Sequence, residues 1–260
     1  MTFQPDSSVV SGVRYSPNHG ERKAGCAPDM IVLHYTGMPD ADAALEKLCA
    51  PDSEVSAHYF VYEDGRIIQC VPEARRAWHA GKAGWAGETD INSCSIGIEI
   101  ANPGHQLGYP EFPLRQIAAV ITLCRGIVAR RGIPPDRVLA HSDVAPARKQ
   151  DPGEKFPWPL LARSGVGLWV DPMPIIADSH KLDVGKTGDE VKLFQSKLAE
   201  YGYAVQLNGN YDADMRDAVA AFQRHFRPEL VDGVTDESTR ETLRLLLAKR
   251  ERLAKATPTS

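Results

Sequence analysis

Two histidines, two carboxylates and a lysine stand out, because the elements that carry them could bring them to one point. In Ser95-Ile96-Gly97-Ile98-Glu99-Ile100 the alternation puts the isoleucines on one face of a strand and Ser95, Gly97, Glu99 and Ala101 on the other. A glutamate within a central strand is costly to bury without a partner, and small residues beside it leave room above for a ligand or a cleft. An edge strand with a solvated face is the other reading. His34 and His141 each close a short apolar run, Met30-Ile-Val-Leu-His34 and Val138-Leu-Ala-His141, and Asp151 follows in a proline-rich loop with Lys149 just before it. Two imidazoles and a carboxylate supply three ligands and leave a fourth tetrahedral position for water, the arrangement of a catalytic zinc site. No H-x-x-x-H or H-E-x-x-H spacing ties them together locally, so histidines merely hydrogen-bonded at strand ends are the alternative.

Positioning such residues requires a sheet. Met30 to His34, Ser95 to Ile100 and Val138 to His141 read as strands. His58 to Val71 reads as a hairpin whose Glu63-Asp64-Gly65 supplies the positive φ of a tight turn. Leu114 to Arg131 carries apolar residues at helical spacing and closes on Gly132 and Pro134; Ala41 to Leu48 makes a shorter helix. Strands with interleaved helices predict an α/β domain, a central mixed β-sheet flanked by helices, over residues 1–172. Prolines between Asp171 and Gly185 mark a linker, 173–185. Beyond it, Glu190 to Tyr201, Asp212 to Phe226 and Asp236 to Leu247 predict a small C-terminal three-helix domain over 186–250, followed by a polar tail, 251–260. A domain so small has a marginal core and suits a binding accessory better than an enzyme.

The composition is that of ordinary soluble globular chemistry: 260 residues, with 30 basic and 34 acidic side chains and a formal charge of −4. That balance offers no cationic field for nucleic acid or anionic lipid, and neither half of the chain is basic. The five cysteines are odd in number and form no C-x-x-C pair, which predicts small buried hydrophobes in a reducing compartment. No apolar run would span a bilayer, and Met-Thr-Phe-Gln-Pro-Asp-Ser-Ser lacks the charged and apolar regions of a secretory signal. The sequence as written therefore predicts a cytoplasmic protein, with a periplasmic or non-standard export route as the alternative.

Five blocks together carry a resemblance. Ile-Val-Leu-His34-Tyr-Thr, Val-Ser-Ala-His58-Tyr, Arg-Ala-Trp78-His79-Ala-Gly, Ser-Ile-Gly-Ile-Glu99-Ile and His141-Ser-Asp-Val-Ala-Pro-x-Arg148-Lys149-x-Asp151-Pro-Gly occur in this order. The stretch from about Met30 to Trp169 resembles the zinc-dependent N-acetylmuramoyl-L-alanine amidases of the AmpD/AmiD branch, which shares its fold with the peptidoglycan-recognition proteins. Beyond the linker, Gly188-Asp-Glu-Val-x-x-Phe-Gln-x-x-Leu, Ala218-Val-x-x-Phe222-Gln and Asp232-Gly-x-x-x-x-x-Thr239 resemble the three-helix peptidoglycan-binding module. The resemblance implies zinc on His34, His141 and Asp151, a catalytic carboxylate at Glu99 and a catalytic cation at Lys149. It places Trp78 and His79 in the substrate groove, with the alternative that Trp78 packs and His79 braces a loop. Arg148 is expected to meet a peptide carboxylate, and His58 to sit behind the ligands. His19, His105, His180 and His225 match nothing and are read as surface residues.

The implied reaction is hydrolysis of the amide between the lactyl group of N-acetylmuramic acid and L-alanine of the stem peptide. The expected partners are peptidoglycan fragments, 1,6-anhydro-muropeptides of cell-wall recycling in particular. A lytic amidase on polymeric peptidoglycan is favoured instead by the helical module. A non-catalytic peptidoglycan binder would be expected to lack a metal ligand, and none is missing here.

Overall fold

In the computed structural model, which describes residues 3–176 and 180–256, the apolar runs become the centre of a six-stranded sheet. The strands are β1 (Gly12–Val13), β2 (His19–Glu21), β3 (Met30–Tyr35), β4 (Tyr59–Val61), β5 (Ile67–Gln69), β6 (Arg75–Ala77), β7 (Ser95–Ile100) and β8 (Val138–Ala140). Their order is β1-β5-β4-β7-β3-β8, with β2 and β6 forming a separate antiparallel pair. The β4–β5 hairpin is antiparallel, whereas β4, β7, β3 and β8 run parallel, so the sheet is mixed. Strand β7 is therefore central, which removes the solvated-edge reading of Glu99. Gly65, at φ +90°, makes the hairpin turn that Asp64-Gly65 predicts.

Helices cover both faces. The first is α1 (Ala41–Cys49), capped by Asp40, whose side chain accepts from the Ala43 N–H at 2.7 Å. It packs Ala44, Leu45 and Leu48 with Phe60 and Ala101. On the other face lies α3 (Leu114–Arg131), preceded by the short α2 (Ile91–Cys94). Its Ile117, Val120, Leu123 and Ile127 join the isoleucines of β7, and it ends at left-handed Gly132. Two short helices follow, α4 (His141–Val144) and α5 (Trp158–Arg163).

The C-terminal region has the three predicted helices, α6 (Asp189–Tyr201), α7 (Ala213–Phe226) and α8 (Glu237–Ala256). Helix α8 runs through most of the stretch expected as a polar tail, and residues 257–260 lie outside the described residues. The expected linker includes residues 177–179, which also lie outside them. Before those residues the Met173 N–H donates to Thr242 Oγ1 at 3.2 Å, and after them Leu182 pairs with Thr235.

A single continuous core runs from the sheet into these helices. Trp85 sits edge-on to Tyr201 and Tyr203, and the Ala86 N–H donates to the Gly202 carbonyl at 2.7 Å. A Cβ at Gly202 would lie 2.4 Å from the Trp85 ring, so only glycine allows this approach. The cysteines are all free thiols; Cys70, Cys94 and Cys124 are buried as expected, while Cys26 and Cys49 are partly exposed. Among the described residues no helix is long and apolar enough to cross a membrane.

Candidate active site

Parallel pairing of β3 with β7 sets His34 directly beside Glu99 at the C-terminal ends of the strands. Strand β8 lies on the other side of β3 and delivers His141 as the first residue of α4, while the Ser142 N–H donates to the Asp151 carbonyl at 3.0 Å and holds the following loop against it. The convergence is close: His34 Nδ1 lies 2.8 Å from His141 Nδ1 and 3.2 Å from Asp151 Oδ2, and His141 Nδ1 lies 2.9 Å from the same oxygen. All three residues are buried.

The protons of these rings can be traced. The Ser95 hydroxyl has one hydrogen and donates it to the Ile91 carbonyl at 2.6 Å, so Ser95 Oγ must accept from His79 Nε2–H at 3.1 Å. His79 Nδ1 then carries a lone pair and accepts from His34 Nε2–H at 3.0 Å, which leaves His34 Nδ1 bare. His141 Nε2–H donates to the Ala80 carbonyl at 3.1 Å and leaves its own Nδ1 bare. Two imidazole lone pairs and a carboxylate oxygen thus face one another with no proton to share, an arrangement that only a cation satisfies. The residues fit a metal ion, and two nitrogens with one oxygen suit zinc chemistry.

Electrostatics agree with a neutral imidazole at His34, whose pKa is pushed down to about 4, first by burial and then by His141. Burial would raise Asp151, but His141 and His34 outweigh it and hold the carboxyl far below the usual range. Glu99 moves the other way. Burial and then the charge of Asp151 raise it to about 8 against the opposing pull of Lys149, and its Oε2 is buried with no hydrogen-bond partner among the described residues.

These groups open into a cleft of about 730 Å³ lined by His34, Trp78, Glu99, His141, Lys149 and Asp151 among others. Lys149 is half-buried on the cleft, and its charge lowers the pKa of both His34 and Glu99. Trp78 lies half-buried on the cleft wall, its backbone paired with Ser56. His79 reaches the cleft as well, but both ring nitrogens are taken by His34 and Ser95, so its polar atoms serve the ligand rather than the groove. Arg148 is on the rim, where its guanidinium donates to the carbonyls of Ala80 and Lys82 at 3.0 and 3.1 Å. His58 is fully buried behind the site, accepting from the Gly97 N–H at 3.0 Å, with burial first and Arg22 second pushing its pKa down to about 3.

The sequence leaves several participants unnoticed. The space above Gly97 is no cleft but the seat of His79, since a Cβ there would lie 2.4 Å from its ring. Ser95, whose alternation with Glu99 is visible, is the anchor of the proton chain. Three of the four histidines read as surface residues are at least partly buried, and all four have side-chain partners. His225 is buried on Asp143 at 2.6 Å, His105 joins the Tyr35 hydroxyl to Glu154, and His19 accepts from Arg75; His180 is exposed, on Glu190. Arg216, Ala220 and Arg224 of α7 also line the cleft, and nothing local in a helical repeat signals that.

Comparison with known proteins bears on the same residues. The family model for N-acetylmuramoyl-L-alanine amidase matches residues 24–154, and one described as "Putative peptidoglycan binding domain" matches residues 187–243. N-acetylmuramoyl-L-alanine amidase AmiD of Escherichia coli K12 is 40% identical over 232 residues, 85% of this chain and 82% of that protein. The 1,6-anhydro-N-acetylmuramyl-L-alanine amidase AmpD of Salmonella typhimurium SL1344 is 34% identical over 161 residues, 55% of this chain and 84% of that one. Among solved structures, E. coli AmiD in complex with the substrate anhydro-N-acetylmuramic acid-L-Ala-D-γ-Glu-L-Lys superposes with a TM-score of 0.71 at 36% identity, over 88% of this chain and 92% of that one. Pseudomonas aeruginosa AmpDh3 in complex with an anhydromuramic pentapeptide gives 0.71 at 30%, over 96% and 98%.

Proposed function

Because this chain belongs to the N-acetylmuramoyl-L-alanine amidase family, we propose that it hydrolyses the amide between the lactyl group of N-acetylmuramic acid and L-alanine of the stem peptide, acting on 1,6-anhydro-muropeptides. The observation that carries this reading is the convergence of three bare ligand atoms beside a glutamate whose Oε2 is buried and unpartnered. His34 Nδ1, His141 Nδ1 and Asp151 Oδ2 would hold a zinc ion, which lowers the pKa of water and polarises a carbonyl when bound.

The rest of the chemistry belongs to the side chains. Glu99, which lines the cleft beside His34, accepts the proton of the attacking water and passes it to the departing alanine nitrogen. Lys149 places a positive charge where the oxyanion develops. Trp78 offers an aromatic wall to the sugar and peptide. The backbone-committed Arg148 guanidinium retains its Nη1 for a peptide carboxylate at the rim.

Mass analysis of products from a defined anhydro-muropeptide and from intact sacculi tests the reading. The expected products are a stem peptide with a free L-alanine amino group and a muramic acid with a free lactyl carboxyl; cleavage at any other bond overturns it. A second reading, action on polymeric peptidoglycan, is supported by the match of residues 187–243 to a peptidoglycan-binding family. Faster release from sacculi than from the soluble fragment would favour it. Metal analysis should find about one zinc per chain, and less than about half would contradict a zinc site.

A further inference from the structure

Helix α7 belongs to the C-terminal region, yet Arg216, Ala220 and Arg224, spaced along one helix face, line the same cleft as His34, Glu99 and Lys149. The two arginines differ. Arg216 is exposed and paired with Asp217 at 2.8 Å. Arg224 keeps only 12% of its side chain exposed, and its Nε is buried with no hydrogen-bond partner among the described residues. The nearest carboxylate, Glu154 Oε2, is 3.7 Å from that nitrogen, beyond hydrogen-bonding reach, and is already engaged by His105 Nε2 at 3.0 Å. Glu154 therefore pairs with the charge without hydrogen-bonding to it, and an Nε–H left without an acceptor is costly at such depth. The planar guanidinium fork matches a carboxylate in two parallel hydrogen bonds.

We propose that Arg224 is a carboxylate subsite which the C-terminal helical region contributes to the catalytic cleft, taking a free carboxylate of the substrate's stem peptide. This rests on reading the cleft as an amidase site. The ligand class follows from the substrate's own chemistry: a D-glutamate joined through its γ-carbonyl keeps a free α-carboxylate, and the last residue of the peptide carries another. On this assignment the helical region takes part in choosing soluble substrate.

The test is steady-state kinetics of the full-length zinc-loaded protein on anhydro-N-acetylmuramyl-L-Ala-D-γ-Glu-L-Lys and on its two mono-amides, one at the D-glutamate α-carboxyl and one at the C-terminus. Wild type is expected to show a KM raised about 10-fold or more on one of the two amides, which identifies the carboxylate held. Arg224→Gln should raise KM by a similar factor on the free acid, leave kcat within about 2-fold, and add little on that amide; Arg224→Lys should fall between. Equal KM values of wild type on all three substrates would overturn the assignment without any variant, as would an equal loss by Arg224→Gln on all three. Failure of wild type to release the peptide from any of them would overturn the amidase reading itself, a result distinct from either.

Discussion

Glu99 sits between two opposing fields, with Asp151 raising its pKa and Lys149 lowering it, over a burial effect larger than either. Replacing it by glutamine keeps the shape and removes the proton acceptor, so hydrolysis should fall by at least about 100-fold while zinc content is unchanged; an active variant would remove Glu99 from the reaction. The same carboxyl makes a prediction for chelator-treated protein. Folded Glu99 holds its proton to about pH 8, whereas the unfolded chain releases it near 4.5, so its contribution to stability declines as pH rises through that window. His34 works oppositely, since its depressed pKa costs stability as pH falls from 6.5 toward 4. The difference in melting temperature between metal-free Glu99→Gln and metal-free wild type isolates the carboxyl, and it should widen by several degrees from pH 5 to pH 8. A constant difference would contradict the raised pKa. One step further from the cleft, Ser95→Ala removes the acceptor that fixes the His79 proton, and zinc affinity should drop about 10- to 100-fold in a competition titration against a chelator.

Strand β7 does three things with alternate residues: Ser95 anchors a proton, Gly97 makes room for an imidazole and Glu99 faces the cleft. Gly97→Ala should therefore destabilise the fold by about 1–3 kcal/mol in urea denaturation and weaken zinc binding, because the His79 ring has to move. Much of this element was legible beforehand. Alternation located β7, helical periodicity located α3, and unbroken apolar runs located β3 and β8, since each is apolar enough for burial alone to fix it. The edge strands β1, β2 and β6 and the short helices α2, α4 and α5 carry too few residues for any period to register. The candidate metal ligands needed the motif blocks, because no spacing joins β3 to β8 locally. The true place of His79 was hidden for a different reason: its partners Ser95 and His34 are brought to it only by the sheet's register.

At the scale of the molecule, Asp143 joins the two regions. It lies in α4, two residues from His141, with no exposed surface, and it accepts from the Ala140 N–H at 2.8 Å, Tyr203 Oη at 2.7 Å and His225 Nδ1 at 2.6 Å. His225 in turn stacks on Trp158, at 3.7 Å between centroids. Asp143→Ala strands three donors in the core and should cost about 3–5 kcal/mol, read from urea denaturation. Wild type should melt in one calorimetric transition, and separate melting of the two regions would show that the shared core does not couple them. His225 was read from sequence as a surface residue because its partner is a residue far away in the chain, and no helical pattern announces that.

The Asp143 clamp also constrains anyone who would rebuild the molecule. A foreign cassette spliced on after residue 172 would strip this aspartate of two of its three donors, two residues from His141 in the candidate site, and would leave Trp85 bare. A workable chimera would have to bring its own tyrosine and histidine to α4, or replace Asp143 with an apolar residue in the same step.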